Sequence, residues 1–138
     1  MLAALASESS LDAFLESFLD GSLERSAWTH AAHVALAAAW IYEEPATALD
    51  RLRAGIRRYN EACGVANSDS AGYHETLTRF WADRIAGSMD GRHSRLEAVR
   101  EAVARYGEHS GLFRQYYSFD VVRSAAARRE WMAPDLLG

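Results

Sequence analysis

Hydrophobic positions recur along this chain at intervals of three and four, the spacing that gathers side chains on one face of an α-helix. Leu11, Phe14, Leu15, Phe18 and Leu19 form one such stripe, and Gly21 follows as a stop; a first helix is expected over about Ser10 to Asp20. A second is expected from Ser26, as N-cap, to about Glu43. Its interior from His33 to Trp40 is so rich in Ala, Leu and Val that it has no polar side, the pattern of a central helix. Pro45 opens a third helix, a favoured first-turn position for proline, with Leu49, Leu52, Ile56 and Tyr59 as its stripe and Gly64 as its end.

A polar stretch from Val65 to Gly72 reads as a loop, Asn67-Ser68-Asp69-Ser70 being turn chemistry. A fourth helix follows over about Tyr73 to Ser88, burying Leu77, Phe80, Trp81 and Ile85. A fifth runs from about Ser94 to Tyr106, where Ser94 and Glu97 make a capping box. After Gly107 the periodicity loosens. Ser118 and Ser124 read as caps of two short helical pieces, with Trp131 anchoring the chain before Pro134. No segment alternates as a strand does. The expectation is all-α: one domain over residues 1–138, a bundle of four or five core helices with a short helical C-terminal wrap.

Composition narrows the functional classes. Apolar residues make up 49% of the chain, enough for a sizeable core, and no apolar run is long enough to span a bilayer. The first residues, Met1 to Ala6, are apolar but short and lack a positive flank, so neither a leader nor a membrane partner is expected. The net charge of −4 argues against general nucleic-acid affinity. Residues 1–50 carry eight acids and one base, residues 51–138 fourteen arginines and eleven acids; a solvated face explains such an asymmetry, and so would a need to hold anionic substrates. There is no lysine, which removes Schiff-base and P-loop chemistry. A single cysteine, Cys63, excludes an intrachain disulfide and suits a cytoplasmic location; it reads as a packed thiol.

The candidate chemistry lies in the histidines. His30 and His33, in Trp28-Thr29-His30-Ala31-Ala32-His33, share a helix face at i, i+3, and His74, in Gly72-Tyr73-His74-Glu75-Thr76, sits at another helix head. If the two heads meet, three imidazoles converge, and a divalent transition metal (Zn²⁺ or Fe²⁺) held by His30, His33 and His74 would keep a position open for water. Glu75 then serves as a base or an outer acceptor, and Tyr73 as a proton donor. Glu75 has a plainer reading, as a dipole partner in the first turn with Gly72 as N-cap. His93 and His109 lie in turns and read as exposed. Asn60 and Asn67 flank the loop before His74 and read either as ligands of a polar substrate or as turn residues; Arg114, Tyr116 and Tyr117 lie in an irregular stretch where ligand contacts concentrate. Arg128 and Arg129 read as solvated.

Those two histidine motifs, with Tyr117-Ser118, Trp131 and Pro134-Asp135, resemble an uncharacterised family of small bacterial helical proteins over about Phe14 to Asp135. The resemblance implies that the histidine-bearing segments belong to one design, and it carries no activity. The resulting expectation is a helical metalloenzyme acting on a small molecule. Two other readings stand beside it: a metal-free binding or acid–base pocket built from the same histidines, and a homodimer or other oligomer completed by the apolar second helix, with structural histidines.

Overall fold

The computed structural model describes residues 2–136 and is all-helical; among the described residues there is no strand. Six helices follow in order: α1 (Glu8–Leu19), α2 (His30–Glu43), α3 (Pro45–Ala62), α4 (Glu75–Ser88), α5 (Arg95–Tyr106) and the short α6 (Ala125–Arg129), with 3-10 turns at Ala3–Leu5, Arg25–Ala27 and Leu112–Gln115. The bundle and its C-terminal wrap are thus as the periodicity implies. Of the expected boundaries, the start of α2 moves most. Ser26 lies inside a 3-10 turn, and Thr29 caps the helix by accepting from the Ala32 amide. The α5 capping box is present in full, as Ser94 and Glu97 imply. Ser124 caps α6, whereas Ser118 caps nothing and instead bonds Asp135 through its amide and hydroxyl.

Helix α2 is the axis of the fold. Its residues Val34 to Ile41 are all buried, packed against α3, α4 and α5. Alanines at 35, 37, 38 and 39 keep its surface thin, so three neighbouring helices approach closely. Gly55 serves the same end on α3: a Cβ there would stand 3.0 Å from the Trp40 ring and 3.1 Å from that of Phe18. The apolar face that suggested an oligomer is therefore spent inside the chain. A second, smaller core of Phe80, Phe113, Tyr117, Val121 and Ala127 fastens the C-terminal wrap to α4.

The charge asymmetry has a structural use. Arg95 on α5 bonds Glu8 and Asp12 of α1 and Glu43 of α2, and Arg51 reaches Glu43 from α3. Arginines of the second half thus lock onto acids of the first. Among the described residues, no helix is long and apolar enough to cross a membrane.

Candidate functional site

The head of α2, one side of α3, the loop before α4 and the turn around Phe113 enclose a cavity of about 410 Å³. That volume suits a small molecule. Its walls are mainly apolar, with Trp28, Val34, Leu52, Ile56, Leu77, Trp81 and Phe113; the polar groups are Arg25, His30, His33, Asn60, Tyr73, His74, Thr78 and Ser110. Wider grooves exist elsewhere, one of about 490 Å³ near Tyr42 and Met89, but none gathers as many polar side chains on apolar walls. His30, His33 and His74 all border this one cavity. His93 is half-buried at a different groove, 3.3 Å from Glu101, and His109 is exposed.

Each of the three histidines has one nitrogen bonded to a backbone carbonyl, and this decides what the other can do. A carbonyl only accepts, so the bonded nitrogen carries the proton. His33 Nδ1–H donates to Thr29 O at 2.7 Å, the carbonyl one turn back, which leaves its Nε2 a bare lone pair. Nε2 has no partner among the described residues, yet no buried side-chain nitrogen or oxygen among them lacks one; this nitrogen is therefore accessible, on a residue that lines the cavity. The His33 ring lies on Trp28, centroid to centroid 3.7 Å. His30 Nε2–H donates to Tyr106 O at 3.1 Å, leaving Nδ1 as acceptor, and its ring meets Trp81. Burial pushes all three imidazoles below their ordinary 6.5, against the carbonyl bonds that would raise them. For His33 the value falls to about 4, with His30 and Arg25 adding to the effect.

His74 differs from the other two. Its Nε2–H donates to Val121 O at 2.9 Å and its Nδ1 accepts from the Leu77 amide at 3.2 Å, so both nitrogens are in use. It is the N-cap of α4, a task the sequence assigned to Gly72. Gly72 stands two residues before the cap, in a left-handed turn at φ +79, where any Cβ would lie 2.5 Å from Ala66 O. Thr76, wholly buried, donates to Glu130 O and accepts from the Met132 amide. His74 and Thr76 together are a clasp that holds the C-terminal wrap against α4.

Glu75 ties the head of α4 to α3 and does not line the cavity. Its carboxylate accepts from Arg53 Nε and Nη2 (3.0 and 2.5 Å) and from the Tyr73 hydroxyl at 2.7 Å. Burial raises its pKa, but the Arg53 and Tyr73 bonds outweigh that and hold it below the ordinary value. Tyr73 is pushed well above a normal phenol by burial and by this same bond. The expected base and proton donor thus bond one another, and of the two only Tyr73 lines the cavity with His30 and His33. To join His30 and His33 as a metal ligand, His74 would have to release one of its two bonds, to Val121 O or to the Leu77 amide. Among the described residues, no group of three His, Cys, Asp or Glu side chains stands close enough to hold a metal ion.

The loop asparagines knit the site together. Asn60 accepts from Arg25 Nη1 at 3.0 Å and donates to Asn67 Oδ1, which also receives the Tyr73 amide; Asn67 Nδ2 donates to Arg57 O. Asn67 is a loop staple and does not border the cavity. Arg114, Tyr116 and Tyr117 also lie outside it, and Tyr117 donates to Met132 O. Arg128, read as solvated, reaches the carbonyls of Gly72 and Val122. Arg25, Ser110 and Phe113 were not singled out by the sequence. Arg25 offered a signal, as the one base among the first fifty residues, four positions before the cap of α2. Comparison with protein-family models, with curated proteins and with solved structures returns no match.

Proposed function

We propose that the protein binds a small organic molecule in the cavity at the head of α2, with His33 Nε2 as the hydrogen-bond acceptor that orients it. The observation that carries this reading is the Nδ1–H bond from His33 to Thr29 O, which leaves a bare ring nitrogen facing about 410 Å³ of mostly apolar space. An apolar wall with a few convergent polar groups is the usual form of a small-molecule site. His33 stays neutral at pH 7, so it accepts a proton donor from the ligand and does not repel a cation or compete as one. The pocket is set on rigid elements: the α2 head, the Asn60–Asn67 staple and the His74 clasp each fix one wall. A metal ion on His74 would have to displace one of its two partners, the Leu77 amide of the α4 cap or the Val121 carbonyl of the wrap.

The test is a fragment screen by saturation-transfer NMR on protein treated with chelator, repeated on His33→Phe. That substitution keeps a ring against Trp28 and removes the acceptor. Fragments that bind the chelated protein and weaken in the variant support the reading. A stoichiometric metal in untreated protein, lost in His30→Ala and His33→Ala, would overturn it, as would a screen in which no fragment binds.

A further inference from the structure

The charge inside the cavity is unbalanced. One cation, Arg25, stands on its lining, and no Asp or Glu does. Arg25 makes no ion pair with any acid among the described residues. Its Nη1 is tied to Asn60 Oδ1, and Asn60 is itself held by Asn67, so the guanidinium is fixed at the rim while Nε and Nη2 remain without partners. A fixed guanidinium with free N–H groups is the usual partner of a carboxylate. The second polar feature is the reverse: the His33 Nε2 and His30 Nδ1 lone pairs accept and have nothing to accept from. A ligand that answers both brings a negative group at one end and an O–H or N–H at another. Trp28, Trp81 and Phe113 line the same cavity and offer walls for a planar body.

Resting on the reading that the cavity is a ligand site, we propose that its ligand is a small aromatic carboxylate bearing a hydroxyl or amino group. The carboxylate meets Arg25 at the rim, and the hydroxyl or amino group donates to His33 Nε2. The neutral histidines suit such a ligand, because a charged imidazole would have no lone pair left for the donor. Arg25 and His33 come to the cavity from different segments, one from the 3-10 turn before α2 and one from the helix itself.

The experiment is calorimetric titration with 6-hydroxy-2-naphthoate, its methyl ester and 2-naphthoate, on the wild type, Arg25→Gln and His33→Phe. Arg25 is exposed, so Arg25→Gln is expected to fold; circular dichroism checks this. The expected result is that the hydroxy acid binds most tightly and that Arg25→Gln weakens it about tenfold or more. The ester, having no charge to lose, responds little to Arg25→Gln, and 2-naphthoate responds little to His33→Phe. Equal affinity of acid and ester, or an acid affinity unmoved by Arg25→Gln, overturns the anionic assignment while the pocket itself stands. Failure of all three compounds to bind also overturns it, and the chelated-protein fragment screen then reads separately whether the cavity binds anything.

Discussion

His33 ties the candidate site to stability through pH, and the link is quantitative. The folded chain holds this imidazole neutral down to about 4, whereas the unfolded chain protonates it near 6.5. As pH falls below 6.5 the unfolded state takes up a proton that the native state refuses, so stability is full above 6.5 and is lost as pH drops toward 4. The gap between those values corresponds to about 3 kcal/mol from His33 alone, at most about 1.4 kcal/mol per pH unit. His30 and His74 are depressed for the same reason, burial, and add loss of the same sign. Carboxylates held low, such as Glu75, contribute only below their ordinary value of 4.5, so the window between about pH 6.5 and 5 isolates the histidines. Urea unfolding followed by tryptophan fluorescence across that window gives the slope, since Trp28 and Trp40 are buried. His33→Phe is expected to flatten the slope by about one proton's worth while keeping the ring against Trp28. Parallel profiles for wild type and variant would refute the reasoning, because they would mean that His33 titrates alike in both states.

The head of α4 yields three further expectations. Glu75→Gln lowers stability at neutral pH by about 1–2 kcal/mol, less than a wholly buried pair because Arg53 is a third exposed; the deficit shrinks as pH falls below 4.5, and a variant as stable as wild type at pH 7 would contradict the ion-pair role. His74→Ala costs about 2–3 kcal/mol, a lost cap plus a stranded Val121 carbonyl, and exposes the wrap to trypsin at Arg123 and Arg129; His74→Asn restores the cap but not the Val121 bond, so the wrap stays cleavable. Gly72→Ala is expected to cost about 2 kcal/mol or more in thermal or urea unfolding, since φ +79 is strained for alanine and its Cβ would meet Ala66 O and Asn67 Oδ1.

Much of the fold is legible in the sequence because it is written in local terms. The α5 capping box, the proline opening α3 and the glycine after it are decided by neighbouring residues, and the apolar run from Val34 to Ile41 marks the central helix. The α2 start is less legible because Ser26 and Thr29 are both good caps, and the choice between them falls to the burial of Trp28. The head of α4 is misread for a different reason: histidine is an unusual cap, and only the left-handed turn at Gly72 shows that the chain enters the helix two residues later. That His30, His33 and His74 border one space follows from their helix-head positions. Which nitrogen each one keeps does not, for two of the carbonyls that decide it lie 76 and 47 residues away. Separation along the chain likewise hides Arg53 from Glu75 and Arg128 from Gly72, pairs that brace the Gly72-Tyr73-His74-Glu75 motif.

The most direct measurement is long-range ¹H–¹⁵N correlation of the histidine rings at pH 7, which reads protonation and tautomer nitrogen by nitrogen. The expected spectrum has His33 neutral with its proton on Nδ1, and His30 and His74 neutral with theirs on Nε2. His33 protonated at that pH, exchanging between tautomers, or carrying its proton on Nε2 would leave no fixed lone pair facing the cavity and would contradict the site as described.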